Sequence, residues 1–266
     1  MKFFLQILTK NGCYKASRKI TPRGVMVHST GSNNPRLSRY VPGNEDIGYN
    51  TGGNHWDMEG VGACVHAFIG KLADGSVGVV QTLPWNRRGW HAGKGSRGSA
   101  NDTHISFEIC EDGLQDASYF EAVYQAAVEL TADLCKQYGL DPMKDGVVIC
   151  HSEGHSTGIA SNHADVMHWF PIHGKSMDTF RADVTRVMEG EEEMTQEQFD
   201  KFMDNYLARK AKEPASKWAT DKTNQHPQGI LEEAKEMGFT DGSRPKANAT
   251  REEVAAMILA AIAGDC

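Results

Sequence analysis

The sequence predicts an α/β fold, a central β-sheet flanked by helices, followed by a small all-helical C-terminal module. Three observations carry this expectation. Short runs rich in Val, Ile, Phe and Cys recur through the first 188 or so residues, most of them bounded by Gly, Asn, Asp or Pro. Between them lie segments whose apolar residues return every three or four positions, the period of a helix with one buried face. Past the charged stretch Gly190-Glu191-Glu192-Glu193 the helical period continues and the β-rich runs stop. Strands mixed with covering helices indicate an α/β domain.

Taken in order, the candidate strands are residues 3–8, 25–29, 64–70, 77–83, 104–110 and 147–150. The first, Phe3-Phe4-Leu5-Gln6-Ile7-Leu8, is too short for a signal-peptide core and no small-residue cleavage site follows it. It reads as a buried strand, and the chain is expected to be made in the cytoplasm without an export signal. The clearest helix starts near Ser118, which has capping-box spacing with Glu121. Phe120, Val123, Tyr124, Ala127, Leu130 and Leu134 then mark one face, and Gly139 with Pro142 ends the pattern. A second helix runs from about Ser176, with Met177, Phe180, Val184, Val187 and Met188 on one face and Gly190 as its stop. Beyond the linker, Thr195 with Gln198 and Thr250 with Glu253 repeat the capping-box spacing, and Val254, Met257, Ile258 and Ile262 form one stripe. The expected organisation is residues 1–189 as the main domain, 190–213 as a linker containing a helix, and 214–266 as the helical module.

Composition excludes some classes of function. The net charge is −7 and no basic block occurs, which disfavours nucleic acid as a partner. Nothing approaches the roughly 18 consecutive apolar residues of a membrane span. The six cysteines are scattered without a CxxC pair, so free buried thiols are expected.

Placement singles out a few of the eleven histidines. His28 closes the apolar run Val25-Met26-Val27, and His151 closes Val147-Val148-Ile149-Cys150. Both fall at strand ends, where α/β folds gather functional groups. A polar cluster follows at Ser161-Asn162-His163-Ala164-Asp165. Two imidazoles and a carboxylate are a usual protein ligand set for catalytic zinc, although a single strand-end histidine is more often structural. Glu108 interrupts an otherwise apolar strand between Phe107 and Ile109, and a carboxylate there needs a partner. Arg88, Trp90 and His91 lie in one loop, Trp85 to Gly93. Trp and Arg suit sugar and carboxylate recognition; the same loop is also explained if its tryptophans simply pack. His55, His66, His155, His168 and His173 read as structural or groove-lining.

Five segments combine into one pattern: Val27-His28-Ser29-Thr30; Val65-His66-Ala67-Phe68-Ile69 with Asp74-Gly75; Gly89-Trp90-His91-Ala92-Gly93; Asn101 through Glu108; and Cys150-His151-Ser152-Glu153-Gly154-His155. With the stretch from His163 to Phe170, they resemble the amidase-2 family of zinc amidases, related to phage lysins of amidase type and to peptidoglycan recognition proteins. The resemblance covers about the first 185 residues. It implies a mixed central β-sheet and a zinc-dependent N-acetylmuramoyl-L-alanine amidase acting on bacterial peptidoglycan. It implies Zn2+ held by His28, His151 and Asp165, with Glu108 as the acid that handles the attacking water. His163 stands where the family usually has a lysine. Its implied roles are to stabilise the oxyanion, to donate a proton to the leaving amine, or to replace Asp165 as ligand. A phage or prophage endolysin released through a holin-type pore is also implied. The alternative is a peptidoglycan-binding protein without catalysis; the presence of both Asp165 and Glu108 favours the enzyme. Residues Ala234 to Pro245 and Ala249 to Met257 resemble an S-layer homology repeat, with Trp218-Ala219 as part of a preceding one. That family binds secondary cell-wall polymers, although Thr250 as a cap and Gly242 as a turn also explain themselves without a ligand.

Overall fold

The computed structural model describes residues 1–190 and, beyond them, only positions 201, 232 and 236. The linker, the helical module and the S-layer-like segment therefore lie outside the described residues. Within residues 1–190 the expected architecture is present: six strands form one mixed sheet flanked by helices.

The strands are β1 (Lys2–Leu5), β2 (Gly24–Asn33), β3 (Ala67–Lys71), β4 (Val77–Gln81), β5 (His104–Glu111) and β6 (Val148–Cys150). Their order across the sheet is β1-β4-β3-β5-β2-β6. Only β3 and β4 run antiparallel, joined by a turn around Gly75 at φ +85°. All other neighbours are parallel. The expected first strand exists, but it is an edge and not a buried strand. Phe3 and Leu5 are exposed and only Phe4 turns inward, the alternation of a strand with one face packed and the other left open to solvent.

Four helices accompany the sheet: α1 (Gly12–Ala16), α2 (Ala117–Tyr138), α3 (His151–Ser156) and α4 (Met177–Glu189). The stripe predicted for α2 is buried along its length, and it packs on Val25, Val27, Ile105, Phe107 and Ile109 of the sheet. Its cap is Asp116, whose carboxylate accepts from the Tyr119 N–H at 3.0 Å; the expected Ser118 box does not form. Gly139, in the left-handed region at φ 62°, ends the helix as its sequence suggests. Ser176 caps α4, where Met177, Phe180 and Val184 are buried, and Gly190 stops it. The opposite face of the sheet holds a second core under the irregular chain from Leu37 to Val65. There Tyr40 stacks on Phe68 at 4.7 Å and Trp56 meets the same ring edge-on.

Two features of this frame place functional groups. The β2–β5 register sets His28 directly beside Glu108, and the β2–β6 register sets Val27 beside Cys150, so His151 falls next to His28. Because side chains alternate along a strand, Val25 and Val27 point into the α2 core and His28 points away from it. Register-paired residues share a face, so Glu108 joins His28 there.

Candidate metal centre

His28 lies inside β2, with the strand continuing to Asn33, and not at a strand end as its place after an apolar run suggests; buried Val25, Met26 and Val27 anchor it. His151 is the first residue of α3, immediately past β6. Asp165 arrives on a loop tied to α3 by a hydrogen bond from the His151 N–H to the Asp165 carbonyl, 3.2 Å. His28 and His151 are 1% and 4% exposed.

The three side chains converge on one point. His28 Nδ1 is 2.9 Å from an Asp165 carboxylate oxygen and 3.2 Å from His151 Nδ1. His151 Nδ1 is 3.6 Å from the same oxygen. Ligand atoms about 2.0–2.1 Å from a tetrahedral centre lie about 3.3 Å apart, so these separations suit one small ion. Two ring nitrogens and a carboxylate oxygen turned toward one point are also the donor types that hold a small divalent cation. Among the described residues this is the one group of three such side chains disposed to hold a metal.

The outer nitrogens are also engaged. His28 Nε2 lies 3.0 Å from His91 Nδ1, and His151 Nε2 lies 3.3 Å from Ser161 Oγ. Burial pushes the His28 pKa down, against the upward pull of Asp165. For Asp165, burial acts upward, but the hydrogen bonds of His151 and His28 outweigh it and hold the carboxyl below its usual range.

A cleft of about 520 Å³ opens over these groups. Glu108, Trp90, His91, His163 and His168 line it together with the three convergent residues. Glu108 Oε2 is buried and has no hydrogen-bond partner. Burial raises its pKa well above the carboxylate range, and Asp165 and Glu111 add to the rise. A buried carboxylate repelled by two others is short of positive charge, which a cation among His28, His151 and Asp165 would supply. The donor set and this deficit both fit a divalent ion.

The remaining candidates take separate positions. His163 is exposed at the rim, its ring 4.6 Å from that of His151. Trp90 is 48% exposed on the cleft wall. Arg88 does not line the cleft; it lies behind Trp90, with its guanidinium 5.4 Å from the ring centroid and Nε on the Asp102 carboxylate. The Trp90 loop is held by Asn101, a fully buried residue whose Oδ1 accepts from the N–H groups of His91 and Ala92 at 2.8 and 2.9 Å. Gly93 ends that loop at φ +63°, where a Cβ would come within 2.6 Å of Ser161 Oγ. Asn101 and Ser161 have no chemical signature in sequence, since their role depends on neighbours eight or more positions away. Glu111, the buried last residue of β5, accepts from the Gly31 N–H at 3.0 Å and from His168 Nε2 at 2.9 Å, buttressing the far wall.

Comparison with known proteins returns one consistent result. A family profile described as N-acetylmuramoyl-L-alanine amidase, amidase-2, matches residues 18–168. The chain is 39% identical over 62 residues to the N-acetylmuramoyl-L-alanine amidase CwlA of a Bacillus species, covering 23% of this chain and 24% of that protein. It is 39% identical over 61 residues to the N-acetylmuramoyl-L-alanine amidase XlyB of Bacillus subtilis strain 168, covering 23% of this chain and 19% of that protein. The chain thus matches about a quarter or less of the length of these curated relatives. Among solved structures, the hydrolase AmiA of Staphylococcus aureus, in complex with its ligand, superposes with a TM-score of 0.51 at 18% identity, over 72% of this chain and 86% of that one. At that identity the likeness is one of fold.

Proposed function

The chain belongs to the amidase-2 family of N-acetylmuramoyl-L-alanine amidases, and from that premise we propose that it hydrolyses the amide between N-acetylmuramic acid and the L-alanine of the peptidoglycan stem peptide. The observation that carries the proposal is the convergence of His28 Nδ1, His151 Nδ1 and Asp165 Oδ2 under a cleft that also presents Glu108. His28, His151 and Asp165 would hold a zinc ion, which when bound would supply a Lewis acid able to polarise a carbonyl and lower the pKa of water toward neutrality.

The chain's own residues do the rest. Glu108 takes a proton from the attacking water and aims its oxygen at the lactyl carbonyl carbon. His163, at the rim, donates a hydrogen bond to the tetrahedral oxyanion, in the place of the family's usual lysine. The C–N bond then breaks, and the proton held by Glu108 passes to the L-alanine nitrogen. Trp90 offers a sugar-stacking face, with Arg88 behind its ring and His91 beside it in the cleft wall. The family resemblance supports reading the protein as a phage or prophage endolysin. The S-layer-like segment between Ala234 and Met257 supports a second role, holding the protein on secondary wall polymers.

Mass spectrometry of digested peptidoglycan tests the chemistry. Stem peptides with a free N-terminal L-alanine are expected; new reducing sugars would point to glycosidase action, and intact strands to a binding protein without catalysis. Exhaustive chelation should abolish release and zinc should restore it. Sedimentation with purified walls tests the C-terminal role: the full chain should pellet more completely than a chain ending at 190.

A further inference from the structure

We infer that His91 is a positioning residue for His28: its Nδ1 accepts the Nε2–H of His28 and thereby fixes which nitrogen His28 turns toward His151 and Asp165. The inference rests on the zinc reading above, because it is a cation at Nδ1 that places the His28 proton on Nε2; with Nδ1 facing only the Asp165 carboxylate, the bond would run the other way.

A neutral imidazole carries one proton on its two nitrogens. In His28 both nitrogens are engaged, Nδ1 at 2.9 Å from Asp165 and Nε2 at 3.0 Å from His91 Nδ1. A nitrogen that binds a cation must present a lone pair, so the proton of His28 belongs on Nε2. His91 Nδ1 must then accept, which leaves the His91 proton on its own Nε2. The two rings meet edge-on, with centroids 5.1 Å apart and planes at 75°. This geometry aims the Nε2–H of one at the Nδ1 lone pair of the other.

His91 is well placed to impose this choice. The peptide groups on both sides of its ring are pinned by Asn101, whose Nδ2 also donates to the Gly93 carbonyl at 3.1 Å. These bonds fix the backbone from which the ring projects, and the bond to His28 is the one hydrogen bond the ring itself makes, its Nε2 being buried without a partner. The other histidine of the cluster has a weaker brace, since His151 Nε2 meets only the Ser161 hydroxyl at 3.3 Å. Ligand histidines in general owe their tautomer to a partner on the outer nitrogen; here that partner is a second imidazole.

Two measurements on the full chain decide the matter. Long-range proton–nitrogen correlation spectra of the zinc-loaded protein should show His28 and His91 both protonated at Nε2. A proton on His91 Nδ1 would overturn the inference. Competition against a chromophoric chelator should then show His91→Ala binding zinc 10- to 100-fold more weakly than the parent. His91→Asn, which keeps an acceptor oxygen near the position of Nδ1, should recover most of the loss. Equal affinity in His91→Ala and the parent would also overturn it. Should His91→Ala fail to fold, the spectrum of the parent and the affinity of His91→Asn still decide. A parent that takes up no stoichiometric zinc would contradict the ligand set itself, whereas zinc uptake with a proton on His91 Nδ1 would contradict only the role of His91.

Discussion

Glu108 sits between Phe107 and Ile109, both fully buried, yet faces a cleft on the other side of the sheet. The alternation of a strand allows this, and the register with His28 gives it a purpose. Glu108→Gln keeps the shape and removes the base. It should bind zinc as the parent does while amide cleavage falls by about 10²–10⁴-fold, the usual worth of a positioned acid–base group. Parallel zinc titration and turnover assays check both halves, and near-parental turnover would remove Glu108 from the chemistry. His163 offers a complementary prediction. If it supplies a donor to the oxyanion, His163→Lys should retain most turnover and His163→Ala should lose at least about tenfold. Equal loss in both would argue that the imidazole itself is needed.

At the scale of elements, α2 shows where pattern suffices and where it does not. The stripe from Phe120 to Leu134 is legible because a buried helical face imposes its period on the sequence. The cap is less legible, because Ser118 has the capping-box spacing with Glu121 and yet the helix begins two residues earlier, capped by Asp116. Asp116→Ala should cost about 1 kcal/mol in urea unfolding, and Ser118→Ala well under half of that. Phe120→Ala, which empties the contact with Trp169 and Phe170, should cost about 3–5 kcal/mol in the same assay. The six strands were legible for a similar reason, since short β-branched runs between turn residues are hard to place elsewhere. The exposure of β1 was not, because edge or centre is a property of pairing and not of local composition. The same limit applies to the site. His28, His151 and Asp165 attract notice by type and position, but their mutual distances depend on strand order, and the Asn101 and Ser161 supports depend on loops meeting in space.

At the scale of the whole molecule, buried neutral histidines set the response to acid. His66 is fully buried, donates from Nε2 to the Arg87 carbonyl at 2.6 Å, and accepts at Nδ1 from the Ser106 N–H at 3.0 Å. Burial, only partly offset by these bonds, pushes its pKa down to about 4. An unfolded chain takes up this proton near pH 6.5, and the folded protein resists until about 4. The unfolded state therefore binds more protons through that window, so stability is constant above it and declines as the pH falls through it. The contribution of His66 alone is about 3 kcal/mol. Urea midpoints measured from pH 8 to 4 should be level down to about 6.5 and then fall; a level profile throughout would contradict this account.

Five cysteines, Cys13, Cys64, Cys110, Cys135 and Cys150, are unbonded and buried. Burial raises every one of their thiol pKa values, that of Cys135 to about 12. Cys64 and Cys110 belong to the core beneath the irregular chain, whereas Cys135 and Cys150 belong to the core beneath α2. An alkylating reagent meets almost no thiolate while the sheet is covered on both sides. Its rate of attack, resolved cysteine by cysteine, therefore works as a pair of internal clocks that record whether the two layers peel off together or in turn.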